Sequence, residues 1–273
     1  MSHGTGVDGR FTQLPGMRLI GADLTGDVLD ERKLFDKAVP SPDEAVQAIA
    51  DYVHYLQAHF PVRAILGIGI AAPGFIDLTT GDIISIGRVP SWENSPICRR
   101  LHAALQLPVE IANDVDCMAL AEFQHSAQPR DKNLIYLGFD EGVKASLFLS
   151  GDLYKGAMGN AGLIASDLLH VGGEIAPPMV RQLLTVEGIN LLFEEQWAML
   201  DVSEQARYHE IVATNNPRTR FRMILACADE QRPICAVIVH DLIEVLAAAV
   251  ANVVFFMQPD VIVVGGLLSS LSG

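Results

Sequence analysis

Two adjacent polar residues, Asn113 and Asp114, stand where an apolar segment with the character of a strand gives way to a helix. In α/β proteins, ligands bind at the carboxyl ends of strands. A carboxylate near a helix N-terminus can accept the proton of a substrate hydroxyl, and an amide can donate and accept hydrogen bonds. The pair predicts a site for a hydroxyl-bearing ligand. Either residue could instead only cap the helix, and the sequence leaves both interpretations open.

Two further segments could contribute to such a site. The loop from Pro90 to Pro96 carries Trp92 and Asn94, and an indole face beside hydrogen-bonding groups is typical of sugar sites. The alternative is that Trp92 merely anchors an ordinary loop. Gly74 follows the apolar run AILGIGIA, and a glycine there lets the backbone approach a ligand closely.

Alternating strands and helices must position these residues. The patterns predict a hairpin of strands at 17–22 and 28–35, and a helix that begins at Ser41-Pro42. A strand buried on both faces is predicted at 64–71, and another strand at 109–112. Later segments predict strands at 134–138, 145–149 and 260–264, and helices at 177–197, 203–213, 217–228 and 235–257. This alternation indicates an α/β fold with mixed sheets.

Composition excludes several classes of protein. The 273 residues are 50% hydrophobic and 19% charged, which excludes a disordered segment and allows one large domain or two lobes. A net charge of −14 argues against nucleic-acid binding by this chain alone. Four dispersed cysteines and no visible signal peptide indicate reduced thiols in a cytoplasmic protein. The apolar stretch 245–257 is too short to span a bilayer, so no membrane partner is expected.

Five segments in a fixed order carry a family resemblance: GIGIAAPGFID, PSWEN, NDVD, LIYLGFDEGVKASLFLSGDLYKGAMGNAGLI and QPDVIVVGGLLS. The chain resembles the ROK family of repressors and sugar kinases over roughly residues 17–170 and 235–270. The resemblance implies an α/β, two-lobed actin-like ATPase (ribonuclease H-like) fold, with mixed sheets flanked by helices. We expect a flexible lead-in at 1–16, an N-terminal lobe at 17–112 and a shortened C-terminal lobe at 113–273.

The resemblance also implies roles for particular residues. In a family kinase, the residue matching Asp114 is the general base and the one matching Asn113 bonds the sugar. Nucleotide contacts would fall on Gly138, Gly142, Gly265 and Gly266. The implied partner is a sugar or amino sugar, and the implied assembly is a dimer or tetramer.

The phosphate-binding segments depart from the family pattern. Nothing before Met17 reproduces the Asp-x-Gly-Gly-Thr hairpin that wraps ATP phosphates. The second phosphate loop is replaced by Gly138-Phe139-Asp140-Glu141-Gly142, where a phenylalanine takes the place of a small hydroxyl residue. Two acids at the tip repel a triphosphate unless Mg²⁺ bridges them. These departures argue against efficient ATP chemistry.

Other family features are missing as well. The Glu and His with which family members contact the sugar are replaced here by Leu163 and Ser166. Either His170 or Glu174 takes over this contact, or both are loop residues without a ligand. The family's Cys-x-Cys-Gly-x-x-Gly-Cys motif has no counterpart, so we expect neither a structural zinc nor another metal site.

Three functions remain open. The favoured one is the sugar-sensing portion of a ROK-type regulator resembling NagC-like transcriptional regulators, which needs no cofactor. It would contact DNA only through a helix-turn-helix not present in this chain. The second is an MgATP-dependent sugar kinase with Asp114 as base, and the third is a noncatalytic sugar-binding protein.

Overall fold

The computed structural model describes residues 16–35, 39–86, 89–125, 132–139, 142–162, 183 and 185–267. The described residues form ten strands: β1 (Met17–Ala22), β2 (Val28–Leu34), β3 (Ile68–Ala72), β4 (Phe75–Asp77), β5 (Asp82–Ser85), β6 (Val109–Asn113), β7 (Leu134–Phe139), β8 (Val143–Leu149), β9 (Asp152–Leu153) and β10 (Val261–Gly266). They also form a 3-10 helix (Pro90–Trp92) and eight α-helices: α1 (Pro42–His59), α2 (Ile97–Leu105), α3 (Asp114–His125), α4 (Val186–Ala198), α5 (Val202–Ala206), α6 (His209–Ala213), α7 (Pro217–Asp229) and α8 (Pro233–Met257). The predicted α/β class is confirmed.

The chain divides into two compact units. The first contains residues 1–131 and 146–161, and the second contains residues 132–145 and 162–273. The sequence-based division at residues 112 and 113 placed α3 with the C-terminal lobe. In the structure α3 packs against β3 and β6 and lies in the first unit, and the predicted bounds of the two lobes stay a prediction.

Helix α1 packs against the hairpin of β1 and β2 in the first unit. Its predicted start is confirmed by a capping box, in which the Ser41 hydroxyl accepts a bond from the Glu44 N–H and the Glu44 carboxylate accepts one from the Ser41 N–H. The Tyr52 hydroxyl accepts a hydrogen bond from the Gly21 N–H at 2.8 Å and donates one to the Asp30 carbonyl at 2.9 Å. Burial raises the pKa of Tyr52 to about 12.

Strand β3 differs from its prediction. It pairs in parallel with β6 over Ile68–Ala72, whereas a longer strand buried on both faces was expected at 64–71. Gly69 and Ala71 are exposed, while Ile68 and Ile70 pack against the core of the unit. The small residues of the run therefore face away from the core, so the prediction of two buried faces is wrong.

The second unit is built around β7, all six of whose residues are buried. Strand β10 pairs in parallel with β7 in this unit, and the antiparallel pair of β8 and β9 lies mostly within residues 146–161 of the first unit. Helices α4, α7 and α8 pack against one another. The helix predicted at 203–213 is instead two short helices, α5 and α6, separated at Arg207-Tyr208. The predicted helix start at 177 lies outside the described residues.

Among the described residues, one helix, α8, is long and apolar enough by length and composition to cross a membrane. Its most apolar 18-residue stretch has a mean hydropathy of 2.2, and 28% of that stretch is buried. Core helices of soluble proteins can be equally long and apolar.

Candidate functional site

The parallel pair of β3 and β6 brings two of the predicted site segments to one sheet edge. The last residues of the two strands, Ala72 and Asn113, lie opposite each other in the register. Gly74 follows β3 by two residues, and Asp114 is the first residue of α3. The carboxyl ends of parallel strands therefore place Gly74, Asn113 and Asp114 together, at the kind of edge where α/β sheets bind ligands.

The Asn113 amide connects these two segments. It is 5% exposed, its Nδ2 donates to the Gly74 carbonyl at 3.2 Å, and its Oδ1 accepts from the Val115 N–H at 3.0 Å. Since Val115 lies in the first turn of α3, Asn113 performs the capping that the sequence left open. The capping is compatible with sugar contact, since an amide has two N–H donors and two acceptor lone pairs.

Asp114 is half-buried, and its Oδ1 accepts a hydrogen bond from the Val115 N–H at 2.9 Å. Asp116 shares the first turn of α3, where the helix dipole favours negative charge. A carboxylate at a strand end, shielded from bulk water on one side, can accept a hydroxyl proton or bind a hydroxyl group. The role predicted for Asp114 thus has suitable local geometry.

An interaction that the sequence did not predict joins α3 to β8. The Ser146 hydroxyl, on a side chain that is 1% exposed, donates to Asp116 Oδ1 at 2.5 Å. The rings of Phe123 and Phe148 stack between the same two elements, with centroids 4.4 Å apart. The Ser146 bond holds the first turn of α3, beside Asn113 and Asp114, and the stacked rings hold its last turn.

Asn160 is another residue whose role the sequence did not predict. Its Oδ1 accepts from the Ile76 N–H at 3.0 Å, and its Nδ2 donates to the carbonyls of Ile76 at 3.1 Å and Met158 at 2.8 Å. The side chain thus satisfies the backbone of β4, two residues after Gly74. The only sequence signal was an asparagine inside the glycine-rich segment GAMGNAG.

Replacing Asn160 with alanine is expected to destabilise the protein by about 1–3 kcal/mol, because the Ile76 N–H and carbonyl lose their partner. Urea unfolding measures the change. Gln57→Ala removes an exposed amide from α1 and serves as the control, with an expected change of at most about 0.5 kcal/mol. Equal midpoints for the two variants would show that the Asn160 bonds contribute nothing.

The aromatic loop holds the other two predicted sugar contacts. Trp92 is 8% exposed, and its indole N–H donates to the Pro40 carbonyl at 2.7 Å. The structure therefore shows the anchoring role that the sequence left as an alternative, and a sugar contact by Trp92 stays a prediction. Asn94 is exposed, with a left-handed φ of 52°, and its N–H donates to the Ile84 carbonyl. Its sugar contact also stays a prediction.

Three of the four glycines predicted to contact nucleotide lie together in the second unit. Gly138 pairs with Gly265 in the register of β7 and β10, and Gly266 follows with a φ of 77°. A Cβ on Gly265 would lie 1.9 Å from the Tyr136 hydroxyl, so packing alone requires this glycine. Gly142 is exposed at the start of β8.

Phe139 is the residue that replaces the small hydroxyl of the family's phosphate loop. Its side chain is 0% exposed, and its ring stacks with that of Phe221 at a centroid distance of 5.7 Å. This position is therefore a core position of the second unit. Six residues that the sequence analysis singled out lie outside the described residues: Asp140, Glu141, Leu163, Ser166, His170 and Glu174. Within the described part of the chain, no group of three or more His, Cys, Asp or Glu could hold a metal ion.

Solved structures of similar shape define the class of protein. A ROK family transcriptional regulator, a homolog of the E. coli MLC protein, matches with a TM-score of 0.73 at 19% identity, over 93% of this chain and 63% of that one. A ROK family glucokinase from Streptomyces griseus, in complex with glucose and AMPPNP, matches with a TM-score of 0.66 at 18% identity, over 91% and 79%. The fold is the two-lobed actin-like ATPase fold.

The family follows from the sequence. The model of the ROK family matches residues 16–166, more than half of the chain, and the protein belongs to this family. The chain is 24% identical over 264 residues to the xylose repressor of Caldicellulosiruptor bescii, covering 93% of this chain and 63% of the repressor. It is 27% identical over 221 residues to the glucokinase of Halalkalibacterium halodurans, covering 75% and 62%. The chain thus spans less than two thirds of the length of both relatives.

Proposed function

We propose that this chain is the sugar-sensing portion of a ROK-type transcriptional regulator, which binds a sugar or amino sugar and does not use ATP. The observation that carries the proposal is the burial of Phe139. At the position of Phe139, kinases of the ROK family have a small hydroxyl residue that contacts a phosphate. In this chain the ring of Phe139 is buried and packs against Phe221. A buried ring offers no hydrogen bond to a phosphate oxygen.

The sequence that follows Phe139 supports the proposal. Asp140 and Glu141 follow Phe139 directly, and two carboxylates repel the charge of a triphosphate. Phosphate loops bind anions through converging N–H groups without acids nearby. A sensor tolerates these changes because sugar binding alone is its task.

The arrangement of Gly74, Asn113 and Asp114 at the carboxyl ends of β3 and β6 supports the proposal that sugar binds there. The relatives are consistent with this ligand class, since they include a xylose repressor and a glucokinase solved with glucose. We further propose that the protein is cytoplasmic and forms a homo-oligomer.

The second candidate is a sugar kinase with Asp114 as general base and MgATP as cosubstrate. Two observations favour it: the half-buried position of Asp114 at the start of α3, and the cluster of Gly138, Gly265 and Gly266 at the carboxyl ends of parallel strands. Similarity to the glucokinase also supports it.

A panel of hexoses, pentoses and N-acetylhexosamines separates the candidates. The proposal predicts that at least one sugar raises the melting temperature without nucleotide. A hundredfold excess over Kd adds about 2.7 kcal/mol of stability. It also predicts no sugar-dependent ADP formation in a coupled assay with MgATP. Sugar-dependent turnover that is lost in Asp114→Ala would establish the kinase instead.

A further inference from the structure

A cavity in the second unit lies apart from the residues considered so far. It has a volume of about 520 Å³, and its lining includes Arg207, Tyr208, His209, Cys227 and Arg232. All of these residues lie beyond the segment 16–166 that matches the family model. The cavity is formed where α5 and α6 separate and where the chain turns from α7 into α8. Its volume is within the range of small-molecule sites.

Arg232 is held in one orientation at this cavity. Its guanidinium lies over the ring of Tyr208 at 4.6 Å, and Nη1 donates to the Sγ of Cys227 at 3.0 Å. The Arg232 N–H also bonds to the Cys227 carbonyl at 3.0 Å. The Tyr208 ring is itself fixed, since it is 3% exposed and packs edge-on against Phe193. A guanidinium fixed in this way loses little conformational entropy on binding a ligand.

The hydrogen-bonding capacity of Arg232 is largely unused within the described part of the chain. A guanidinium has five N–H donors, and among the described residues the side chain of Arg232 makes one hydrogen bond, to a sulfur, which is a weak acceptor. No described carboxylate forms an ion pair with it. Half-buried arginines usually satisfy these donors with oxygen acceptors, and the fork geometry of the group matches a carboxylate or a phosphate.

The charge of the lining favours an anion. The side chains of Arg207 and Arg232 oppose a single lining carboxylate, that of the exposed Glu210, in a chain whose net charge is −14. The remaining walls include the apolar side chains of Ile211 and Met223. Cationic groups beside apolar walls fit a small anion that carries an apolar body.

We propose that this cavity binds a small organic anion, a carboxylate or a phosphate ester, through the guanidinium of Arg232, with Arg207 as a second cationic contact. The site is separate from the proposed sugar site and does not depend on that proposal.

Calorimetric titrations with benzoate and with inorganic phosphate test the site on the full chain. Benzoate represents a carboxylate with an apolar body, and phosphate represents the phosphoryl group alone. The main variant is Arg232→Gln. Arg207→Gln changes an exposed residue and keeps the test valid if the first variant fails to fold. Arg222→Gln changes an exposed residue of α7 and serves as the control. Circular dichroism confirms that each variant is folded.

The proposal predicts saturable binding of at least one probe by the wild type and by Arg222→Gln. Binding should weaken about tenfold or more in Arg232→Gln, the effect of losing a charge-assisted hydrogen bond, and severalfold in Arg207→Gln. Saturation by benzoate alone identifies a carboxylate site, and saturation by phosphate identifies a phosphoryl site. The proposal is overturned if neither probe saturates the wild type, or if all three variants bind as the wild type does.

Discussion

Sugar binding is expected to weaken by about 10- to 150-fold when Asp114 is replaced with alanine. Hydrogen bonds to a charged group contribute about 1.5–3 kcal/mol, and this free energy corresponds to that range of affinity. Asp114 is the first residue of α3, and it lies beside Asn113 and Gly74 at the carboxyl ends of β3 and β6. Calorimetry with the sugar that most stabilises the wild type measures the change.

The control for this prediction is Asp51→Ala, which removes an exposed carboxylate from α1. It should leave the sugar affinity unchanged. If the protein is a kinase, Asp114→Ala should instead lower kcat by about 10²–10⁴-fold, the usual contribution of a general base. An Asp114→Ala variant that is folded and binds sugar as the wild type does would remove Asp114 from the site.

The second large effect is expected for Gly74→Ala. Gly74 has a φ of +90°, and a Cβ there would lie 2.1 Å from the Ser85 carbonyl oxygen. The contact is with backbone, so no side-chain rotation relieves it. Together with the strained φ, it should destabilise the protein by about 2–4 kcal/mol, as measured by urea unfolding. Because the Gly74 carbonyl accepts the Asn113 amide, sugar affinity should fall as well.

Gly69→Ala is a matched control for this glycine. Gly69 lies in the neighbouring strand β3, and a Cβ there would meet nothing within 4 Å. Alanine at this position should therefore change the stability by less than about 1 kcal/mol. Equal unfolding midpoints for the two variants would contradict the backbone clash at Gly74.

The parts of the fold that depend on neighbouring residues were predictable from the sequence. The capping box of Ser41 and Glu44 lies within four residues, and the strand-to-helix transition at Asn113-Asp114 follows from local patterns. The structure adds that the strands before Gly74 and Asn113 pair in parallel, so that their carboxyl ends share one edge. Local pattern therefore predicted the elements, and their pairing was not predicted.

The contacts that complete the site join residues far apart in the chain. Asn160 bonds to Ile76 across 84 positions, and the Trp92 indole bonds to Pro40 across 52. Neither contact leaves a periodic signal in the sequence. The break between α5 and α6 was missed for a similar reason, since the burial of Tyr208 under Arg232 is a tertiary contact.

Strand β3 shows the limit of apolar composition as a guide. The run from Ala64 to Ala71 is nearly all apolar, yet its glycines and alanines contribute little hydrophobic free energy when they face away from the core. The alternation of large and small residues was the informative pattern. It indicates one packed face, as the structure shows.

The central claim is that this member of the ROK family binds sugar and not nucleotide. Calorimetric titration of the full chain with MgATP, with and without a saturating sugar, tests it most directly. We expect no saturable binding of MgATP in either titration, and sugar binding of equal affinity in the presence and absence of MgATP. Saturable binding of MgATP with a micromolar Kd would contradict the claim and would make the chain a nucleotide-binding relative of the sugar kinases.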